Sequence, residues 1–236
     1  MRIFVAPSAL VEGELAIRGD EHHYLARVRR AAVGDTIELF DGEGRRARAQ
    51  IRAMTDAVTT VSVEVVATIT PSRPHVRVLL PLIKGDRMDF ALEKLVEVGV
   101  DEIVVWPAAR SVVKLEADRR EARIEKYALA LQAASRQSDR PQVPVITWAD
   151  SLVAATANVV GARFVLDPGT ETRLEEVEDN VSEVTFVGGP EGGLDPVELS
   201  HLVAAGFEPI GLGPRVLRAE TAPVVAVAIV RALTRS

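Results

Sequence analysis

Four glycines in six positions, Gly188, Gly189, Gly192 and Gly193, end the short β-branched and aromatic run Val184 to Val187. Without Cβ atoms their backbone is bare, so a flat ligand can lie directly on the peptide groups. About twenty residues later a second loop, LGPRVLRAETA, brings glycine, proline and two arginines into the approach to an apolar C-terminal segment. Neither loop contains G-x-G-x-x-G or a Gly-Lys-Ser/Thr ending, so a dinucleotide fingerprint and a phosphate loop are both unsupported. Neither has a lysine to hold a triphosphate.

The elements between the loops say how they are positioned. Asp195 as N-cap, Pro196 at the first helical position and Glu198 at the third predict a helix start with a capping box. That helix is short and ends near Gly206, and FEPIGLG reads as a further strand. Both special loops therefore follow strands, and the carboxyl ends of strands are where an open α/β sheet places its ligand.

A chain of 236 residues has room for one or two domains and a sizeable core. With 47% apolar and 26% charged residues it is globular rather than disordered. The absence of cysteine excludes disulfides and thiolate metal sites. MRIFVAPSAL has one charge and too short an apolar stretch for a secretory leader, and Ala222 to Val230 is too short to cross a bilayer. A cytoplasmic protein with no membrane partner is expected. The formal net charge of −6 is unevenly spread. Lys+Arg against Asp+Glu stands at 9 to 10 in residues 1–72, 13 to 12 in 73–150 and 6 to 12 in 151–236, with much of the excess in the acidic run from Glu171 to Glu183. A local basic face is compatible with this distribution, although whole-chain charge does not argue for nucleic acid.

Residues 2–6 and 14–18 read as strands, and Asp20 as the cap of a helix, DEHHYLARVRR, that ends near Gly34. Alternating apolar residues on either side of Asp-Gly-Glu-Gly predict a hairpin, and TTVSVEVVATI adds another strand. Several short strands and one helix suggest a small β-barrel over 1–72, joined by the proline-bracketed TPSRPHV to a domain over 73–236. From Val76 strands and helices alternate: VRVLLPLI, a helix capped by Asp86 and closed by Gly99, EIVVWPA, a long helix from about Asp118 to Ser138, VPVIT, a helix capped by Asp150, and ARFVLDP. This is an α/β domain with a largely parallel sheet.

Polar clusters sit where these elements end. Arg27, Arg29 and Arg30 gather at the end of the first helix, where cations favour the helix dipole. His22 and His23 beside them face different directions on a helix and form no natural metal pair, so no metal is expected. Lys84, Asp86 and Arg87 follow one buried strand; Arg110, Ser111 and Lys114 follow another; Arg136, Gln137, Ser138 and Arg140 close the long helix. Each cluster alone reads as a solvated end of an element.

Taken together, FVGGPEGGLD, LGPRVLRAETA and the K-x-D-R, R-S-x-x-K and Gln-Ser-x-Arg clusters resemble the SPOUT class of RNA methyltransferases, specifically the 16S ribosomal RNA uridine-N3 methyltransferase family (small-subunit methyltransferase E). The resemblance covers essentially the whole chain and is most specific in the two loops. It implies a C-terminal SPOUT-type α/β domain in which both loops belong to a trefoil knot, and an N-terminal PUA-like RNA-binding barrel. It implies S-adenosylmethionine as cofactor, held by Leu166, Gly188, Gly189, Pro190, Glu191, Gly192, Gly193, Leu212, Gly213, Pro214, Arg215, Leu217 and Thr221, with the leucines sandwiching the adenine. That cofactor carries its own electrophile, so the protein supplies placement and electrostatics. Arg218 is the expected catalytic residue, stabilising negative charge that develops on the uracil carbonyls. The base stays open between Glu191, Glu220 and water. Arg27, Arg29, Arg30, Lys84, Arg87, Arg110, Arg136 and Arg140 are the implied contacts to 16S rRNA of the small ribosomal subunit. Arg136 stands where the family usually carries Glu, so no role of that carboxylate transfers. The resemblance also implies a homodimer, in keeping with the last helix, TAPVVAVAIVRAL, whose apolar residues run almost all round and need cover on a second face.

Three other readings compete: a non-catalytic RNA-binding assembly factor, a SPOUT enzyme with another RNA target, and an α/β enzyme acting on a small nucleotide. Cofactor binding separates the first, the methylated product the second, and the first seventy residues, which a nucleotide enzyme does not need, argue against the third.

Overall fold

Apolar runs without alternation suit strands buried on both faces, and β7 (His75–Pro81), β8 (Glu102–Trp106) and β11 (Glu183–Val187) each end in a fully buried, largely apolar stretch. In the computed structural model, which describes residues 1–172, 174 and 181–234, they form the centre of a six-stranded sheet. Most of the acidic run from Glu171 to Glu183 lies outside the described residues. The chain divides into two compact units, Met1–Pro71 with Ser135–Val143, and Ser72–Ala134 with Pro144–Ser236. The boundary expected at residues 72 and 73 does not foresee that Ser135–Val143 clusters with the first unit.

The first unit contains β1 (Arg2–Phe4), β2 (Gly13–Ile17), α1 (Gly19–His23), β3 (Thr36–Phe40), β4 (Arg45–Met54), β5 (Thr59–Val63) and β6 (Ala67–Thr68). Its sheet follows the order β1-β3-β4-β5-β2, with β6 also pairing β4. The hairpin expected around Asp-Gly-Glu-Gly is the antiparallel β3–β4 pair, while β1 joins β3 in parallel. Among the described residues no ladder joins β1 to β2, so the pairing of the expected barrel stays open there. Ile3, Leu10, Leu25, Leu39, Ile51 and Val61 fill the core on the inner face. Asp41 stabilises the hairpin end: burial pushes its carboxyl up, but the backbone N–H groups of Arg45 and Glu43 and the Arg45 guanidinium outweigh this and hold it below its usual value.

The second unit adds α2 (Gly85–Val98), α3 (Arg120–Gln137, whose last turn belongs to the first unit), β9 (Val145–Trp148), α4 (Leu152–Thr156), β10 (Ala162–Leu166), α5 (Pro196–Ala204), β12 (Glu208–Ile210) and α6 (Ala222–Leu233). The strand order is β12-β10-β11-β7-β8-β9, and every pairing is parallel. One face packs Leu79, Val104, Val165 and Val187 against Leu152, Ala155, Leu202 and Phe207 of the α4 and α5 region. On the other, α6 packs against α2, β7 and β11. Pro223, Ala226, Val227 and Val230 of α6 are buried, whereas Val224, Val225, Ala228 and Ile229 remain half-buried. The neighbouring helix therefore covers only part of the second apolar face.

Three caps differ from expectation. Asp20 lies inside α1, which Arg18 precedes, and Asp86 lies in the first turn of α2 after Lys84; in each place an acid gains from the helix dipole without capping. Ser151 rather than Asp150 caps α4, accepting from the Ala154 N–H at 3.1 Å. Asp150 is engaged instead by Arg120 and by the indole N–H of Trp148 at 2.9 Å. Gly99 closes α2 as expected, in the left-handed region at φ 100°. The first helix also continues into a π-helical turn, Tyr24–Val28.

At the amino edge of the second sheet, Arg231 of α6 donates to the Gly99 carbonyl (2.9 and 2.8 Å), to the Pro74 carbonyl (2.7 Å) and to Asp101. His75 lies beside it, 3.4 Å from the Glu102 carboxylate, which also accepts from Arg77 at 2.8 Å. The hydrogen bond to Glu102 raises the His75 pKa above its ordinary 6.5; burial and Arg77 oppose it, and Asp101 adds to it. A raised value means the folded state binds the proton more tightly. The resulting stability is complete below pH 6.5 and is lost as pH rises through the folded value. Urea denaturation across neutral pH should show that decline in the parent protein and a flatter profile in His75→Gln.

Candidate functional site

The two glycine-bearing loops and the loop after β10 open together at the carboxyl edge of the second unit's sheet, around a cavity of about 700 Å³. A volume of this order suits a ligand the size of a nucleoside or larger. Val165, Leu199 and Ile210 give it an apolar floor, and Arg87 of α2 and Ala222 of α6 complete its wall.

Each loop is shaped locally. Gly193 adopts φ 72°, a conformation that side chains disfavour, and its N–H reaches back to the Pro190 carbonyl at 2.8 Å. A Cβ on Gly189 would stand 2.9 Å from the Leu194 nitrogen, so the loop's own fold requires glycine there. Gly188 differs, because an added Cβ would meet no protein atom within 4 Å and its φ is not positive. Neither packing nor strain explains that glycine; what its missing side chain leaves clear is the cavity it lines. The capping box forms as expected, with Asp195 Oδ1 accepting from the N–H groups of Val197 (2.7 Å) and Glu198 (3.2 Å). Glu198 in turn accepts from the N–H of Asp195 (2.9 Å) and, with its other oxygen, from the N–H of Ala109 (2.7 Å). Arg110 donates to the carbonyls of Gly192 and Leu194, both at 3.2 Å. In the second loop Arg218 accepts at its carbonyl from the N–H groups of Thr221 (2.9 Å) and Ala222 (3.0 Å), which turns the chain into α6.

Of the residues singled out for a cofactor, Leu166, Gly188, Gly189, Pro190, Glu191, Gly193, Leu212, Gly213, Arg215 and Leu217 line the cavity, as does Arg218. Gly192, Pro214 and Thr221 do not: Gly192 packs on Arg110, Pro214 is exposed, and Thr221 is the N-cap of α6. The wall includes residues that sequence reasoning did not select, among them Asp167, Leu194 and Ala219. Their proximity to selected positions in the chain was the available signal.

The arginines grouped as RNA contacts separate into different surroundings. Arg27, Arg29, Arg30 and Lys84 are exposed, with Arg29 over the Tyr24 ring. Arg87 lines the cavity, 3.4 Å from Glu191 and 3.9 Å from Glu220. Arg110 braces the glycine loop. Arg136 is spent on protein partners in the first unit, where it pairs with Glu21 and lies over the rings of Phe4 and Tyr24. Burial raises the Glu21 pKa, with Arg136 opposing that rise. Arg140 is half-buried just beyond α3, its backbone N–H bonded to the Ser135 carbonyl. Arg110 and Arg136, both expected to contact RNA, therefore also hold carbonyls and a carboxylate of the protein itself, and Arg110 stays exposed while doing so. Among the described residues no cluster of three or more His, Asp or Glu could hold a metal, and no helix is long and apolar enough to cross a membrane.

Fold and site define an α/β domain of the RNA-methyltransferase class: the sequence model of the RNA methyltransferase domain matches residues 70–231, and that of the RNA methyltransferase PUA domain matches 17–58. Within that class, the chain belongs to the ribosomal RNA small subunit methyltransferase E family. It is 32% identical over 225 residues to the ribosomal RNA small subunit methyltransferase E of Mycobacterium bovis, covering 92% of this chain and 86% of that one. The Bacillus subtilis protein of the same name is 28% identical, with 91% and 88% covered. The crystal structure of the Neisseria gonorrhoeae ribosomal RNA small subunit methyltransferase E bound to S-adenosyl methionine superimposes with a TM-score of 0.89 at 26% identity, over 99% of this chain and 97% of that chain.

The two adjacent glycines should behave oppositely. Gly189→Ala should cost roughly 1–3 kcal/mol, the scale of forced overpacking, while Gly188→Ala should stay within about 0.5 kcal/mol of the parent. Urea denaturation of both variants checks the contrast.

Proposed function

We propose that this chain methylates N3 of a uridine in the 16S RNA of the small ribosomal subunit, using S-adenosylmethionine, and that it does so in the cytoplasm as a homodimer. The observation that carries the reading is the cavity at the carboxyl edge of the parallel sheet, in a fold matched along almost its whole length by a relative solved with that cofactor. The residues present fit it. Gly188 leaves room that no protein atom requires, Gly189 and Gly213 expose backbone, and Leu166, Leu212 and Leu217 offer apolar walls for a flat ring. When bound, the cofactor supplies an electrophilic methyl group. The trefoil knot implied by the family resemblance belongs to the same reading.

The protein's part is placement and charge. Uridine N3 must lose its proton before or as it is methylated, and negative charge then develops on the neighbouring carbonyl oxygens. Arg218, on the cavity wall with its side chain 73% exposed, can meet that charge. Exposed Arg27, Arg29 and Arg30 suit phosphate contacts from the first unit, and Lys84 suits them from the second.

Incubation of small-subunit RNA and particles with labelled cofactor, followed by nucleoside mass analysis, should yield 3-methyluridine; no labelled nucleoside, or another one, refutes the assignment. Gly188→Val should abolish cofactor binding in calorimetry. Arg218→Ala should bind cofactor normally but lose about 10²–10³-fold in kcat, the scale of one lost oxyanion donor.

The dimer is supported by the half-buried Val224, Val225, Ala228 and Ile229 of α6. Light scattering of the full chain at micromolar concentration should give twice the mass of one chain. A sharp monomer mass with full activity would reject the paired arrangement.

A further inference from the structure

We propose that Glu220 is a positioning residue that gathers Arg87 and Arg218 on the cavity wall as a pair of cations, one for each carbonyl oxygen flanking uracil N3. This rests on the uridine-N3 reading above. The two arginines come from distant parts of the chain and both line the cavity. One oxygen of one carboxylate stands near both: Glu220 Oε1 is 3.9 Å from Arg87 Nε and 3.8 Å from Arg218 Nη1. These separations are ion-pair contacts, longer than hydrogen bonds. Two guanidinium groups brought together without a negative charge between them repel each other, so a carboxylate shared by both favours their common location.

The condition of Glu220 is unusual for a structural residue. Its side chain is only 8% exposed, and Oε2 is buried with no hydrogen-bond partner among the described residues. A buried acceptor left without a hydrogen bond costs free energy, typically about 1–3 kcal/mol. Its place just before α6 eases the charge, because the amino end of a helix is electropositive. Glu220 is not among the residues lining the cavity, so it acts on a substrate through the arginines and does not take the proton itself. Arg87 is held from a second side, where its Nη1 lies 3.4 Å from Glu191 on the glycine loop.

The chemistry of the base calls for a pair. Uracil N3 lies between the C2 and C4 carbonyls, and as its proton leaves to water the charge spreads over both oxygens. A single cation stabilises one side of that anion. Two cations held apart on one wall answer both, and because they are placed in advance they need no reorganisation during the reaction.

A double-mutant cycle tests the idea. Single-turnover rates and cofactor affinities are measured for the parent, Glu220→Gln, Arg218→Ala and the double variant, alongside nucleoside analysis of the parent's product. Glu220→Gln should keep cofactor affinity within about twofold and lose about 10²-fold in rate. In the Arg218→Ala background the same change should cost much less, because the two act as a unit. The rate of Glu220→Gln should also go on rising with pH beyond the point where the parent levels off, since an unaided anion must form first. Nitrogen-15 spectra should show slowed guanidinium rotation for Arg87 and Arg218 in the parent and its loss in Glu220→Gln. Equal losses in both backgrounds with parallel pH profiles, or an unchanged rate, would overturn the proposal. If Glu220→Gln fails to fold, Glu220→Asp takes its place: an intermediate rate coupled to Arg218 supports the role, and an uncoupled one overturns it. A parent product other than 3-methyluridine refutes the underlying reading independently of the cycle.

Discussion

Arg231 fixes the position of the last helix, and the rim of the cavity depends on where that helix lies. Its guanidinium spans the Pro74 and Gly99 carbonyls and the Asp101 carboxylate, groups that immediately precede β7 and β8. A planar cation with several fixed donors holds such an arrangement with more angular definition than an ammonium group. The foot of α6 is thereby pinned at the amino edge of the sheet. A helix of its length is a rod of about 18 Å, and its head delivers Ala222 and the preceding turn to the opposite edge, where Arg218 and Ala219 line the cavity. Placement at one end of the rod is thus converted into placement at the other.

The all-parallel pairing makes this conversion useful. Because every strand runs the same way, the loops after β10, β11 and β12 share one edge, whereas an antiparallel neighbour would send its loop to the far side. The loops are then braced by residues from outside them. Glu198 serves both the α5 capping box and the Ala109 N–H, and Arg110 holds the Gly192 and Leu194 carbonyls, so the turn after β8 and the glycine loop support each other.

Local features were legible in the sequence. Asp195, Pro196 and Glu198 act within four residues of one another, and the capping box forms as their spacing implies. The glycine loop and most of its partner loop could be assigned to one site because both follow strands of a βαβ pattern. Caps were less legible at Asp20, Asp86 and Asp150, because an acid favours the first helical turn about as readily as the cap position, and Asp150 has other partners. Arginines were the least legible. Arg110, Arg136 and Arg87 find their partners 82, 115 and 104 residues away, and a flexible cation at the end of an element carries no local mark of whether it will meet a phosphate, a carbonyl or a carboxylate. Gly188 and Gly189 looked equivalent, and only the space around each separates a glycine required by the loop from one that keeps the cavity clear.

The membership of Ser135–Val143 in the first unit has a consequence for synthesis. Chains emerge from the ribosome amino end first, and early domains commonly fold while later ones are still being made. Here the unit that begins the chain is not complete when residue 71 appears. The partner that Glu21 needs is Arg136, and the Gln142 bridge to Gly42 and Glu43 comes later still. Until that segment arrives, Glu21 and the exposed faces of Phe4 and Tyr24 await a cation made some 115 residues after the carboxylate it pairs with. The opening unit therefore finishes folding only after β7, α2 and β8 of the other have been translated, so the two are interleaved in time as well as in sequence.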